Sequence, residues 1–462
     1  MKHMISTIED FSNVFFIGVA GTGMSAIAQY LAGVGKLVSG SDRYFVDGEW
    51  NDARVKLEKE GVVCFAQNGS GITDTTQLIV VSTAIEDTVP EVIKAKALGI
   101  PIIKRSELLA MIAKSKKTIA VGGTSGKSTT VAMLFEIMES AYMQPSIISG
   151  AGLVSLIEAG KIGNAKVGNG DWLIIEADES DGSIVQYQPE VGLLLNIDKD
   201  HQEIDELKSI FAQFKANTNQ LFIVNQSNAL AALFSVNSGV DFSTDDKHQA
   251  GYIATDFHQA GLAVQFKIND IDFQLQTVGK HNMENALAAV AVANQLGVSL
   301  TQCVIGLSSY CGIYRRHQLL GIKNGVFVID DYAHNPVKCA ASIAACQDIA
   351  PKVIAWFQPH GYGPTRFLKD DFIEAFSDVL RSSDELWMSE IFYAGGSATK
   401  DISSNDLVKA IAANDKQAFF IEDRNDLLEA IRPHLTNNCV LLLMGARDPS
   451  LEYFGKSLYD QL

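Results

Sequence analysis

Several classes of protein are ruled against by what this sequence lacks. Basic residues are scarce: 37 lysines and arginines stand against 54 aspartates and glutamates, for a formal charge of -17. A sequence-independent nucleic-acid binder needs a basic face, and this balance argues against one. Small anionic ligands stay open, because a few local donors hold them. The six cysteines (Cys64, Cys303, Cys311, Cys339, Cys346, Cys439) form no CxxC pair. They read as reduced thiols rather than a disulfide frame or a zinc site. No apolar run reaches the roughly 18 residues of a membrane span. The polar, acid-bearing residues 1–13 lack the apolar centre of a signal peptide. Together these absences predict a cytoplasmic protein with neither a nucleic-acid nor a membrane partner. Internal repeats and low-complexity linkers are missing too.

What is present is a rhythm. With 462 residues, 47% of them hydrophobic, the chain is too long for one core and predicts several packed domains. Short apolar runs alternate with helix-like stretches, the βαβ pattern of parallel sheets. The first series holds "NVFFIGVAGTGMSAIAQYLAGVG", "KLVSGSD" and "LIVVSTAI". A second restarts near Lys117 with "KTIAVGG", "WLIIEAD" and "VGLLLNID". A third follows "GIYRRHQLLG" with "GVFVIDDYAHNP", "KVIAWFQPH", "ELWMSEI" and "CVLLLMGARD". The restarts place boundaries near residues 114 and 310. In open α/β sheets ligands gather at the C-terminal strand ends, so the polar residues closing these runs are the candidates.

The first such turn is Gly18-Val-Ala-Gly21-Thr-Gly23-Met24. Glycines there let a helix N-terminus approach a diphosphate. Ser41 and Asp42 close the next strand, where a dinucleotide fold keeps its ribose-binding acid. The spacing is GxxGxG rather than GxGxxG, and a ligand-free glycine turn would read the same. The second is "VGGTSGKSTT". Gly122, Gly123 and Gly126 bring backbone N–H groups to a polyphosphate, Lys127 reaches its outer phosphates, and Ser128 or Thr129 offers a hydroxyl to Mg²⁺. It is one residue shorter than the usual phosphate-binding loop. Two acidic strand ends follow: Glu176, Asp178 and Glu179 in "LIIEADESDGS", and Asp198, Asp200 and His201 in "LLLNIDKDHQE". Clustered carboxylates repel unless a hard cation lies between them, and a histidine can complete its shell; solvated loop acids are the alternative. His281, Asn282 and Asn285 start an alanine-rich helix, where the amides either read a purine edge or cap the helix. In the last third, Arg315, Arg316, His317, Asp330, Asp331, Tyr332, His334, Asn335, His360 and Arg366 follow apolar strands and suggest a second anion site, such as a carboxylate.

Taken in order, "GTSGKST", "EADESD", "NIDKDH", "GKHNMENALAA", "YRRHQ" and "DDYAHNP" resemble the Mur ligase family over essentially the whole chain. The resemblance implies an α/β protein of three domains: an N-terminal Rossmann-like, UDP-sugar-binding domain over 1–114, a central P-loop-type ATPase domain with a parallel sheet over 115–310, and a C-terminal Rossmann-like, amino-acid-binding domain over 311–462. It implies an ATP-dependent, Mg²⁺-requiring amide ligase of peptidoglycan synthesis. The substrates would be UDP-N-acetylmuramate and an amino acid, L-alanine first and a murein tripeptide or other amine as the alternative. By the same resemblance Gly123, Thr124, Gly126, Lys127, Ser128 and Thr129 cradle ATP. Ser128, Thr129, Glu176 and His201 hold Mg²⁺, Asn282 and Asn285 contact adenine, and Arg316 and Asp331 close over the nucleotide. Lys127, Glu176, His201 and Arg316 form the implied catalytic set. Gly18, Gly21, Gly23, Met24, Ser41 and Asp42 take the UDP diphosphate and ribose; His334, His360 and Arg366 lie where the amine enters. The stretch "HGYGPTR" carries Gly361 and Pro364 where the most similar branch has arginines, which leaves the amine open. Monomer and homodimer are both left open. From other classes, an NAD-linked oxidoreductase using the first turn leaves Lys127, Glu176 and His201 without a task, and a non-catalytic nucleotide-binding regulator stays open.

Overall fold

The computed structural model describes residues 5–82, 85–179, 182–198, 203–393, 399–446, 448 and 450–462. The chain folds into two compact units, residues 1–258 with 264–312, and residues 259–263 with 313–462.

The first unit holds three sheets. In the N-terminal one, β1 (Asn13–Ile17), β2 (Leu37–Asp42), β3 (Val62–Ala66), β4 (Leu78–Val81) and β5 (Ile102–Lys104) lie in the order β3-β2-β1-β4-β5, all parallel. The strand order reverses at β1, which puts its C-terminal end at the crevice of a Rossmann-like sheet. The central sheet joins β6 (Lys117–Gly122), β7 (Ser146–Ile148), β8 (Ala165–Lys166), β9 (Trp172–Glu176), β10 (Val191–Leu194) and β11 (Leu221–Val224) in the order β11-β10-β6-β9-β7-β8. Only β8 runs antiparallel to its neighbour. The apolar runs of β1, β4, β6, β9 and β10 are buried on both faces, as strands covered by helices on two sides must be. Phe16, Leu31, Ile175 and Phe211 belong to one continuous hydrophobic cluster that spans both sheets.

A third, small sheet, β12 (Phe242–Ser243), β13 (Tyr252–Ala260), β14 (Ala263–Ile268) and β15 (Ile271–Leu275), did not figure in the βαβ reading. Its cue is local: β14 and β15 pair antiparallel across Asn269 and Asp270, both at positive φ (46° and 65°), the two-residue turn that matches strand twist.

The second unit is built on β16 (Gln318–Lys323), β17 (Val326–Asp331), β18 (Lys352–Gln358), β19 (Glu385–Ser389), β20 (Gln417–Ile421) and β21 (Cys439–Gly445), ordered β16-β17-β21-β18-β19-β20. All pairs are parallel except the edge strand β16. Its core packs Val328, Ile354, Trp356, Leu441 and Leu443, with Trp387 stacked on Phe419 at 4.5 Å. Among the described residues no helix is long and apolar enough to cross a membrane.

Candidate active site

The middle of the central sheet brings three strand ends together. Val121 of β6 is in register with Glu176 of β9, and Gly122 with Leu194 of β10. The chain leaves β6 through residues 123–126 and enters the helix Lys127–Ser140, with Gly126 at its N-cap. Gly123 and Gly126 take φ of 140° and 83°, values that an L side chain rarely adopts. A Cβ on Gly126 would run into Asn285 Oδ1, so the position favours glycine by both its space and its φ. The loop is braced by Asn196, just past β10. Its Oδ1 accepts from Thr124 Oγ1 and from the Ser125 N–H, both at 2.9 Å, and its Nδ2 donates to the Ser125 carbonyl at 3.2 Å. Asn196 was not singled out in the sequence; its signal is a polar residue ending an apolar run beside the lysine-bearing strand.

Lys127 Nζ donates to the Gly123 carbonyl at 2.7 Å and to Glu179 Oε2 at 2.6 Å. Both side chains are mostly buried. Burial raises the Glu179 pKa, and Lys127 opposes that rise by favouring the carboxylate. Lys127 therefore points back into the loop, held by the Gly123 carbonyl and the Glu179 carboxylate. Ser128 and Thr129 stand in the first helical turn. Glu176 Oε1 accepts from Ser149 Oγ at 2.8 Å and from the Gly150 N–H at 2.7 Å. Asp198 accepts from Asn228 Nδ2 at 3.2 Å, and its N–H donates to Thr124 Oγ1 at 3.0 Å. His201 lies outside the described residues, and among those described no group of three or more His, Cys, Asp or Glu is placed to hold a metal.

Asn282 and Asn285 are buried. Asn282 Nδ2 donates to Thr277 Oγ1 at 2.9 Å and to the Val278 carbonyl at 2.7 Å, so it ties down its own helix start. Asn285 Oδ1 accepts from Thr130 Oγ1 at 3.3 Å and packs on Gly126. These bonds engage Asn282 Nδ2 and Asn285 Oδ1, at the start of a helix whose N-cap is Gly279.

At the first glycine turn, Gly18 adopts φ 80°. The N–H groups of Gly18 and Val19 both donate to the Ser41 carbonyl, at 2.8 and 3.0 Å. Asp42 accepts from the Ala20 and Tyr44 N–H groups, each at 3.1 Å. Met24, Ser41 and Asp42 are buried, and the Ser41 carbonyl and the Asp42 carboxylate hold the turn in shape from behind. Gly21 and Gly23 open the helix Thr22–Gly33, and the Arg105 guanidinium lies against Gly23, 2.9 Å from where a Cβ would be.

In the second unit the adjacent arginines part company. Arg315 is buried: its Nε donates to Asp330 Oδ2 at 2.9 Å and its Nη2 to the Gly445 carbonyl at 2.9 Å. Arg316 is exposed. Arg315 and His317, on either side of it, take positive φ of 51° and 50°, a strained conformation for non-glycine residues. Asp331 ends β17 and accepts from the Ala333 N–H at 2.9 Å and from Ser342 Oγ at 3.0 Å, with His317 Nδ1 at 3.5 Å. His334 and His360, at the ends of β17 and β18, approach with ring centroids 5.7 Å apart. Arg366 is paired with Asp401 and donates to the Thr399 carbonyl at 3.0 Å.

A Rossmann-like sheet with a glycine turn, a parallel sheet with a Gly-Lys-Ser-Thr loop flanked by carboxylates, and a third α/β sheet presenting an exposed arginine define a nucleotide-using α/β enzyme. The profile of the Mur ligase family catalytic domain matches residues 13–117, the Mur ligase middle domain residues 121–293, and the Mur ligase glutamate ligase domain residues 315–447. The UDP-N-acetylmuramate–L-alanine ligase of Agrobacterium fabrum is 33% identical over 459 residues, covering 94% of this chain and 93% of that protein. The enzyme of the same name from Gloeobacter violaceus is 33% identical, covering 93% and 92%. Among solved structures, a UDP-N-acetylmuramate–alanine ligase of Thermotoga maritima superposes with a TM-score of 0.79 at 25% identity, covering 97% of this chain and 98% of that one. The chain belongs to the Mur ligase family.

Proposed function

We infer that this protein is an ATP-dependent amide ligase that joins an amino acid, L-alanine, to UDP-N-acetylmuramate in peptidoglycan synthesis. The observation that carries the inference is the loop at the head of β6, where Gly123 and Gly126 hold a backbone cradle and Lys127 turns back into it. The similarity of nearly the whole chain to UDP-N-acetylmuramate–L-alanine ligases supports the substrates. The cradle fits ATP: Gly123 and Gly126 take backbone angles that let successive N–H groups converge on an anion. The donor set also fits Mg²⁺, since the hydroxyls of Ser128 and Thr129 and the carboxylate of Glu176 are the oxygen ligands a hard cation takes. We assign His201 to the same shell on the family resemblance. When bound, the metal would neutralise charge on the outer phosphates. We take 1–114, 115–310 and 311–462 as the working domains, and a cytoplasmic location fits their chemistry.

The substrate carboxylate attacks the γ-phosphorus of ATP, and the bond to the β-phosphate oxygen breaks to release ADP. The amine then attacks the acyl carbon, phosphate leaves, and the amine proton passes to a base. Lys127 exchanges Glu179 for phosphate oxygens and stabilises the charge that develops there. Thr124, with the loop N–H groups, fixes the phosphates in line, while Arg316 and Asp331 supply further nucleotide contacts. Asn282 and Asn285, beside the loop, are assigned to adenine on the family resemblance. The turn at Gly18, Gly21 and Gly23, kept in shape by Ser41, Asp42 and Met24, takes the diphosphate of the sugar nucleotide. His334, His360 and Arg366 meet the amine. One observation favours a peptide as a second amine: Arg366, the arginine kept in residues 360–366, is already engaged by Asp401.

The test is phosphate release from ATP and Mg²⁺ with UDP-N-acetylmuramate, across single amino acids and short peptides, with product mass as the check. Turnover with L-alanine alone is the expected outcome. Turnover only with a peptide moves the assignment to a peptide ligase. Silence with every amine, despite ATP binding, overturns the ligase reading in favour of a regulator.

A further inference from the structure

Between the first glycine turn and Glu176 runs an unbroken line of hydrogen bonds, and Asn164 is its middle member. Asn164 is 2% exposed. Its Nδ2 donates to the Thr22 carbonyl at 2.8 Å and to Ser25 Oγ at 3.0 Å, while its Oδ1 accepts from Gln29 Nε2 at 2.8 Å. Thr22, Ser25 and Gln29 lie along one face of the helix that Gly21 caps. The main-chain carbonyl of Asn164 accepts the Ser149 N–H at 2.9 Å. Ser149 Oγ in turn donates to Glu176 Oε1 at 2.8 Å, beside the Gly150 N–H at 2.7 Å.

Every link from Thr22 through Ser149 to Glu176 is buried or half-buried and of ordinary length, so water cannot readily take the place of any of them, while the flanking Gly150 N–H is exposed. Both ends of the Asn164 amide are engaged with the N-terminal helix, and its backbone holds the segment that aims Glu176. A movement of the first turn therefore shifts the set of the carboxylate, and a pull on the carboxylate returns along the same bonds. An apolar core contact would hold the two sheets together without such directionality; here the seam is polar although apolar packing surrounds it.

We propose that Asn164 is a positioning residue that couples occupancy of the first glycine turn by the sugar nucleotide to the binding of metal and nucleotide at Glu176. The proposal rests on the site assignments made above for those two ligands. Coupling of this kind is reciprocal: each ligand must tighten the other by the same factor.

The experiment is isothermal titration of the full chain with UDP-N-acetylmuramate alone, with Mg²⁺ and a non-hydrolysable ATP analogue alone, and with each in the presence of the other. In wild type each ligand is expected to tighten the other by an equal factor, roughly five- to 150-fold. In Asn164→Ala the factor should fall to near one while each ligand still binds alone. Because a buried asparagine can be needed for folding, Ser149→Ala provides the second break: it removes only the hydroxyl that reaches Glu176 and should lose the coupling as well. A merely structural role would weaken binding of each ligand without changing the factor. A factor of one in wild type overturns the proposal, as does a wild-type factor kept in Ser149→Ala. Failure of UDP-N-acetylmuramate to bind wild type at all is a different result, and it removes the functional reading itself.

Discussion

Two regions of this molecule hold a cationic side chain on a tight loop, and they do it by opposite means. In the central sheet, Lys127 follows a loop whose awkward backbone angles fall on Gly123 and Gly126, where they cost little. In the C-terminal sheet, Arg316 stands between Arg315 and His317, both in the left-handed region at roughly 1–2 kcal/mol each. What keeps that second loop in place is side-chain bonding: Arg315 on Asp330 and the Gly445 carbonyl, and His317 against Asp331. The difference teaches that a strained cation loop can be built from glycines or from buried ion pairs. The first device can be read from composition, and the second cannot.

The comparison can be broken hardest at Arg315. Arg315→Ala removes the buried cationic partner of the Asp330 carboxylate and should cost about 3–5 kcal/mol of stability, read by denaturant unfolding. A variant as stable as wild type would mean that the loop is not held by that pair. Lys127→Ala should lower ligation about 10²–10³-fold with the fold intact by circular dichroism. Wild-type phosphate release from that variant would remove the loop from the mechanism. Arg316→Ala is the matching cut in the second region: activity down about 10²-fold, with stability within about 0.5 kcal/mol of wild type. If it destabilises as Arg315→Ala does, the division of labour between the neighbours is wrong.

A smaller effect separates the two glycine turns of the first unit. Gly126→Ala meets both a positive φ and a clash with Asn285 Oδ1, and should cost about 1–3 kcal/mol along with ATP affinity. Gly18→Ala meets only Ile85 Cδ1 at 3.7 Å, so φ strain alone should cost about 1 kcal/mol. Equal losses would show that crowding at Gly126 is relieved by movement of Asn285.

The smallest expected effect is on pH dependence. Burial opposes a charge on His317, but the Cys346 sulfur and the Asp331 carboxylate outweigh it and raise the imidazole pKa above its ordinary 6.5. The folded protein therefore binds that proton more readily than the unfolded chain. The stabilisation is fully present below pH 6.5 and is lost as pH rises through the raised pKa. The stability gap between wild type and His317→Phe should narrow steadily above pH 6.5. A gap that stays constant into the alkaline range would mean that His317 packs as a neutral ring.

By itself the sequence determined the three-sheet α/β plan, because buried parallel strands must be apolar runs and their turns must carry glycine or acids. It also determined the Lys127 loop, since glycines before a Gly-Lys-Ser-Thr at a helix start have few other uses. The strand ends at Glu176 and Asp331 were legible for the same reason. Only the tertiary structure decided which of the polar residues at those ends are exposed and which are buried against the protein. Arg315 and Arg316 are alike on paper, yet one is buried on Asp330 and the other is exposed. Asn282 and Asn285 are alike on paper as well, yet one is tied to its own helix start and the other packs on Gly126. Asn164, Ser149 and Asn196 carry no pattern of their own. Their partners lie on other elements at long sequence separations, and a hydrogen bond between distant residues exists only once folding has brought its donor and acceptor within 3 Å or so.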